Sequence, residues 1–459
     1  MKRIYINQTV KEIKKVVTVA GWIDTRRDHG KLTFFDLRDK SGILQVVVTP
    51  RQKEAHKIAG DIRAEWIVEI EGEIQERPKN MQNKDLKTGE VELVAEKITI
   101  LSKAKTPVIG FKGDGYDIDE EKRLEYRYLD LRRPRLQRNL KKRHEVIQFM
   151  RDYLTKDGFI EIETPLLTKS TPEGARDFLV PSRLYPGKFY ALPQSPQQYK
   201  QLLQVAGFEK YFQIARALRD EDPRADRQAE HTQLDIEMSF VKQEDVMSLI
   251  EGLYIKLIKE LFPQKKIQKT PFPVMTYKGA MKKHKVDRPD LRKKKDELAF
   301  VFIIDFPAFE KKGKRWEAMH NPFSSPQTNN IKEIKKNPGK ILSFQYDLVL
   351  NGQEIAGGSI RASDPEILKT TFEVMGYKEA EIKKQFGHML KAFEYGVPPH
   401  GGIASGIDRF LAIMLNEPNI REVMAFPKTG DNRELMMDSP SEVSKEQLKE
   451  LHLTIKKKK

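Results

Sequence analysis

The chain of 459 residues contains no cysteine. That absence excludes disulfides, thiolate metal sites and cysteine nucleophiles together. No run approaches the roughly 18 apolar residues of a membrane-spanning helix. The N-terminus, MKRIYINQTVKEIKK, lacks the apolar stretch of a secretory leader, so a soluble cytoplasmic protein is expected. Two nucleotide-binding signatures are also missing, the phosphate loop GxxxxGK[ST] and a GxGxxG that follows a strand. Any nucleotide would therefore be held by side chains on a sheet. Acidic residues are in deficit: 83 Lys+Arg against 67 Asp+Glu leave a formal charge of +16, which points to a polyanionic partner such as nucleic acid.

What is present fits two or three domains with real cores, since 39% of the residues are hydrophobic. Between Val16 and Ile100 short strands follow one another, VVTVAGWI, LTFFDLRD, GILQVVVT, WIVEIEGEI and VELVAEKITIL, with KIAGDIRAE as an intervening helix. Five strands in about 100 residues suggest a small closed barrel of the OB type over residues 1–105. Its face would carry Arg26, Arg27, His29, Phe34 and Gln45, an aromatic ring among cations that suits an unpaired base. Taken alone, Phe34 is equally a core residue or a base platform.

Residues 106–135 combine glycine turns with dense charge and read as a hinge to a second domain over 136–459. There a helix is expected from Leu136 to Asp157, then a strand, FIEIE. QSPQQYKQLL opens a helix with Ser195 as cap and Pro196 at its first position, placing Gln197 and Lys200 on one face. Tyr211 to Phe240 reads as two strands joined by a charged loop. On the return strand Leu234, Ile236, Met238 and Phe240 alternate with Gln233, Asp235, Glu237 and Ser239, the pattern of a half-buried strand. On the outgoing strand Arg219 and Glu221 share a face. Asn351-Gly352 is a type I′ hairpin signal that sets Glu354 opposite Val349 and Asp347 diagonally across. Two carboxylates that close need a cation. Strict alternation puts Arg361 on the other face, and a bulge near Gly357-Gly358 would bring it round. In GIASGIDRFLAIML, Arg409 lies in the first turn of a helix, free to point into a cleft.

FQIARALRDEDPRADRQAEHTQLDIEMSF resembles motif 2 of the class II aminoacyl-tRNA synthetases, specifically the aspartyl-tRNA synthetases of the bacterial type. The helix, strand and Thr164-Pro165 are similar to motif 1, and GIASGIDRFLAIML to motif 3. GWIDTRRDHGKLTFFDLRDKSGILQVVV is similar to the anticodon-binding barrel. The likeness covers nearly the whole chain, and the HIGH and KMSKS signatures of class I are absent. It implies an α+β architecture, an OB barrel followed by an antiparallel sheet flanked by helices, and a homodimer built through motif 1. The implied activity is ATP-dependent activation of L-aspartate to aspartyl-adenylate and transfer to the 3′ end of tRNA(Asp).

By resemblance Arg219, Glu354 and Arg409 are catalytic, with Arg219 on the α-phosphate and Arg409 on the γ-phosphate of ATP. Glu221, Gln228 and the turn Gly406, Ile407, Asp408 and Arg409 contact the nucleotide, and Asp347 and Glu354 hold Mg²⁺. Aspartate is bound by Glu173, Ser195, Gln197, Lys200, Arg219, Asp235, His320 and Arg361. Among these, Glu173 and Asp235 face the amino group, and Lys200, Arg361 and His320 the side-chain carboxylate. Arg27, His29, Phe34 and Gln45 contact the anticodon. The chain departs from the family at Asn321, where a second histidine is usual, and at residues 275–300, a short lysine-rich connector in place of a large insertion domain. Relatives that also aspartylate tRNA(Asn) tend to carry His at the position of His29, which implies relaxed tRNA choice. The alternatives are a strictly tRNA(Asp)-specific enzyme, an ordinary loop role for His29, an asparaginyl or lysyl relative, and an RNA-binding paralogue.

Overall fold

The computed structural model describes residues 2–170, 174–222 and 224–456. They form two compact units, residues 1–110 and 111–459. In the first, β1 (Val16–His29), β2 (Leu32–Asp39), β3 (Gly42–Val48), β4 (Ile67–Glu76) and β5 (Val91–Ser102) close into a barrel in the order β1-β2-β3-β5-β4, with helix α1 (Lys53–Asp61) between β3 and β4. Alternation along β2 sends Phe35 and Leu37 to the core and leaves Phe34 and Asp36 half-buried on the outside, so Phe34 is a surface ring. Where β1 bends, beside a bulge between Ile23 and Thr25, a β-carbon on Gly21 would lie 2.2 Å from the Arg38 carbonyl oxygen. Only glycine lets the strands approach so closely.

In the second unit, eight strands among the described residues make one sheet. In chain order they are β6 (Ile160–Glu161), β7 (Lys210–Leu218), β8 (Glu230–Ser239), β9 (Val274–Thr276), β10 (Phe300–Ile304), β11 (Gln345–Leu350), β12 (Gln353–Ile360) and β13 (His400–Gly406). Their spatial order is β9-β10-β11-β12-β13-β8-β7-β6, antiparallel except for the outermost pair at each edge. One face packs on helices α2 (Pro134–Lys156), α4 (Gln243–Leu261) and α6 (Ile407–Leu415), where Leu234 and Ile236 meet Ile250, Leu253, Phe410 and Leu411 in the main core. The other face, flanked by α3 (Gln197–Val205), is the floor of a cleft. No helix of the described residues is long and apolar enough to cross a membrane.

Two expectations change. Gln233, Asp235, Glu237 and Ser239 are as buried as the apolar residues of the same strand, so β8 is covered on both faces, and Phe240 leaves it with φ +59° and 69% exposure. Residues 111–135 are no loose hinge. Arg123 pairs with Glu422 at 2.9 Å, Arg133 with Asp130 at 3.1 Å, and Arg127 donates to the Met424 carbonyl at 2.8 Å, all of them buried.

Candidate active site

Buried charge on β8 has to be matched by partners from outside the strand. Lys200 of α3 places Nζ 3.0 Å from Asp235 Oδ1 and 3.2 Å from Glu237 Oε2. Arg361 donates Nε and Nη2 to the two oxygens of Glu237 at 2.8 and 3.1 Å, and Nη1 to Ser359 Oγ at 2.7 Å. None of these four ionised side chains is more than 4% exposed. Burial alone would raise the pKa of Glu237, but Arg361 and Lys200 outweigh it and bring the group down to about 2. A β-carbon on Gly402 would lie 2.2 Å from Glu237 Oε2, so the neighbouring strand makes room for the carboxylate with a glycine. Glu237 and Ser359 together take three of the five guanidinium N–H donors of Arg361, which leaves one on Nη1 and one on Nη2 for a ligand. Glu237 had no role assigned from sequence, although its place between Asp235 and Ser239 on the polar face was the available signal.

A bulge does bring Arg361 to this face, but not at Gly357-Gly358. Val349 pairs with Glu354 and Leu348 with Ala356, so Ile355 is the extra residue. The phase shift there puts Glu354, Gly357, Ser359 and Arg361 on one face with Asp347. The hairpin turn is as expected, with Asn351 at φ +52° and Gly352 at φ +80°. A β-carbon on Gly357 would come within 3.1 Å of Asp347 Oδ1 and 3.4 Å of Glu354 Oε1, so both carboxylates face one small open space. Burial, and then Glu354, raise the pKa of Asp347 well above the ordinary carboxylate range.

The cleft has two adjoining lobes. The smaller, about 210 Å³, holds Arg361, Lys200 and Asp235 with Ser195, Gln197 and Asn321 on its walls. The larger, about 550 Å³, is lined by Glu221, Gln228, His231, Gly406 and Arg409. Arg219, His320, Asp347 and Glu354 line both. Arg219 lies just past the end of β7, where its N–H donates to the Ala229 carbonyl at 2.7 Å. Glu221 is consequently in the loop, where it pairs with Arg227 at 3.5 Å. Arg409 donates to the Glu354 carbonyl and, at 3.2 Å, to Asp226 of the β7–β8 loop. His231, which sequence reasoning missed, has a pKa lowered to about 4 by burial and by Arg219. His320 opens onto the cleft yet lies deep enough for desolvation to hold its pKa below the usual value.

Of the residues expected at the nucleotide, Gln228 and Asp408 reach the larger lobe but spend polar atoms on the protein, and Ile407 does not line it. Ile407 is wholly buried in the core. Asp408 accepts from Arg143 and, at 2.8 Å, from the Thr232 N–H, tying α6 to α2 and β8. The Gln228 amide is closed on the backbone of Lys428, donating at 3.1 Å and accepting at 2.8 Å. Glu173 lies outside the described residues.

On the barrel, register places Arg27 opposite Phe34 and Asp36 opposite Gln45 on one outer face. Arg27 pairs with Asp36 at 2.5 and 2.8 Å, and Gln45 donates to Glu92 at 2.8 Å. His29 stands edge-on to Phe34, with ring centroids 6.0 Å apart and planes at 82°. Arg26 is not on this face; it donates to the Gly60 and Ile62 carbonyls.

With this geometry in place, residues 119–430 match the family model for tRNA synthetases class II (D, K and N). The chain belongs to that family. It is accordingly an aminoacyl-tRNA synthetase, a ligase of the class that uses ATP. Residues 17–101 match the model for the OB-fold nucleic acid binding domain. Aspartate–tRNA(Asp/Asn) ligase of Rubrobacter xylanophilus is 41% identical over 567 positions, covering 96% of this chain and 94% of the relative. The ligase of the same name from Syntrophomonas wolfei is 41% identical over 592 positions that span both chains in full. Those 592 positions against 459 residues here show how much sequence this synthetase lacks relative to that enzyme. Among solved structures, asparaginyl-tRNA synthetase from Pyrococcus horikoshii complexed with asparaginyl-adenylate superposes with TM-score 0.76 at 23% identity, over 94% of this chain and 98% of that one. Aspartyl-tRNA synthetase from Entamoeba histolytica gives 0.73 at 24%, over 93% and 91%. At such identities the likeness is one of fold.

Proposed function

We propose that this synthetase activates L-aspartate with ATP and transfers it to the 3′ end of tRNA(Asp) and tRNA(Asn). The observation that carries the amino-acid assignment is the buried set Lys200, Asp235, Glu237 and Arg361 at the end of the smaller lobe. A guanidinium held by Glu237 with one donor to spare on each Nη is suited to take a second carboxylate. Asparagine would set an amide N–H against those donors, and the mismatch would be rejected. Asp235 then faces the substrate amino group, while Ser195, Gln197 and His320 complete the walls.

The triphosphate lies in the larger lobe, with Glu221 and the Gly406 backbone at the nucleotide and Gln228 as a brace behind it. Arg219, at the junction of the lobes, meets the α-phosphate and Arg409 the γ-phosphate. The amino-acid carboxylate attacks the α-phosphorus in line, pyrophosphate leaves, and a terminal ribose hydroxyl of tRNA then attacks the adenylate. No protein nucleophile is needed, and the residues act by position and by neutralising charge. Among the described residues no group of three or more His, Cys, Asp or Glu side chains converges as a metal site. The pair Asp347 and Glu354 instead fits Mg²⁺, which takes one or two carboxylates and completes its shell with water and phosphate oxygens. When bound, that ion would neutralise phosphate charge.

For the tRNA, the exposed Phe34 ring with His29 at its edge supports base stacking beside Arg27 and Gln45, and the Asp/Asn names of the relatives support relaxed choice. A second copy of the chain is supported by exposed apolar residues around motif 1, among them Leu166, Leu167, Leu179 and Tyr185, each more than half exposed. ATP–pyrophosphate exchange with aspartate, asparagine and lysine tests the activity. Exchange is expected with aspartate alone, and exchange supported better by either of the others overturns the assignment.

A further inference from the structure

Outside the cleft itself, the connector between the motif 2 and motif 3 parts of the catalytic unit is strongly cationic. Residues 281–296, MKKHKVDRPDLRKKKD, hold eight Lys or Arg against three Asp, a surplus of five in sixteen residues out of +16 for the whole chain. Such a run is ordinarily a solvated face, but its seating is specific. It begins on helix α5 (Tyr277–His284), whose last turn carries Lys282 and Lys283, and passes through Lys285 in the left-handed conformation. Asp287 and Arg288 then line the larger lobe of the cleft. Pro289 is buried, Asp290 packs against the Asn351-Gly352 turn, and Leu291 is pinned by its carbonyl to Gln268 Nε2 at 3.0 Å. Further on, Arg292 and Lys295 wall a second hollow, of about 340 Å³, together with Ala225 and Asp226 of the β7–β8 loop. The strap therefore runs from the rim of the ATP lobe along the outside of the loop that latches Arg409.

Six of its lysines, Lys282, Lys283, Lys285, Lys293, Lys294 and Lys295, are exposed, and among the described residues none makes an ion pair. Fixed, unneutralised cations at the mouth of a site whose second substrate is a polyanion raise the local concentration of that substrate and contact its phosphates. We propose that this strap binds the acceptor arm of the tRNA, holding the backbone next to the 3′ end as it enters the cleft. The inference rests on the proposed function, because it takes tRNA as the second substrate. It assigns to this chain's own connector an RNA contact that is independent of the barrel.

The test uses full-length protein with Lys282, Lys283 and Lys285 changed to Gln, with Lys293, Lys294 and Lys295 changed to Gln, and with all six changed. tRNA binding is measured against salt concentration, and ATP–pyrophosphate exchange is run on the same preparations. The log–log salt slope should become shallower by at least about 1.5 in the sixfold variant, the equivalent of two phosphate contacts, with each triple variant between it and wild type. Exchange, which needs no tRNA, should stay within about twofold of wild type. The difference should persist with an acceptor-stem minihelix that has no anticodon. An unchanged slope in the sixfold variant overturns the proposal, as does a change that disappears with the minihelix or a loss confined to exchange. Absence of exchange in the wild-type protein would instead defeat the functional reading while leaving the salt slopes legible.

Discussion

Replacing Glu237 with Gln removes the charge that two buried cations share. We expect the KM for aspartate to rise at least about tenfold with little change in the KM for ATP, and stability to fall by about 3–5 kcal/mol, the usual cost of breaking a buried pair. Exchange kinetics and denaturant unfolding check the two parts. Its pKa also predicts acid behaviour. A carboxylate that titrates at about 2 in the fold and near 4.5 when unfolded stabilises the protein above the unfolded value and loses that contribution as pH falls toward 2. Wild-type stability should therefore drop across that window by about 3 kcal/mol more than that of Glu237→Gln. Asp347 predicts the opposite sign. A carboxylate buried beside Glu354 is costly to ionise, so Asp347→Asn should hold or raise the melting temperature at neutral pH while cutting exchange by at least about a hundredfold. A lowered melting temperature would show that Asp347 is a structural anchor. At this scale sequence was a good guide to which residues meet, since Arg219, Lys200, Asp235, Arg361, Asp347 and Glu354 all reach one cleft. It was a poor guide to what holds them. Glu237 pairs with a residue 124 positions away, and the commitments of Asp408 and Gln228 to backbone groups depend on tertiary contacts that no local pattern carries.

The hairpin of β11 and β12 is the element on which the site turns. Its Asn-Gly corner and its alternation were readable, and so was the need for a phase shift ahead of Arg361. The position of the shift was not, because paired glycines are a usual sign of a bulge and here they serve another purpose. Gly357 keeps the space above Asp347 and Glu354 open. Gly357→Ala would project a methyl 3.1 Å from Asp347 Oδ1, so exchange should fall at least about a hundredfold while unfolding changes by less than about 1 kcal/mol. A variant that keeps more than a tenth of wild-type exchange would show that nothing occupies that space during the reaction. The motif 2 strand gives the complementary lesson. Period-2 alternation located both of its faces, yet burial of the polar one follows from α3 lying over it, a packing decision made by another part of the chain.

Over the whole molecule, the barrel has its own core, from Ile6 through Phe35 and Val68 to Ile98. The barrel and the class II sheet were both legible, because short strands at regular spacing and long motif stretches are local signals. The lock on residues 111–135 was not, since its carbonyl and carboxylate partners lie near residue 422. His29→Leu in the full chain should increase discrimination between tRNA(Asp) and tRNA(Asn). A wild-type discrimination beyond about a hundredfold, near 2.7 kcal/mol, would defeat the relaxed reading. Light scattering should give about twice the chain mass of 53.3 kDa, and a stable, active monomer would refute the dimer.

The buried set on β8 has a consequence for inhibitors. Lys200 and Arg361 are matched by Asp235 and Glu237 before any ligand arrives, so that end of the lobe is electrically neutral when empty. A zwitterionic amino acid with an acidic side chain adds a single net negative charge, whereas a dicarboxylate without the ammonium group, such as succinate, adds two and brings Asp235 no cation beyond the Lys200 it already pairs with. Deaminated analogues of the substrate should therefore compete poorly, however well their shape fits, and useful competitors will be those that keep a cation beside Asp235.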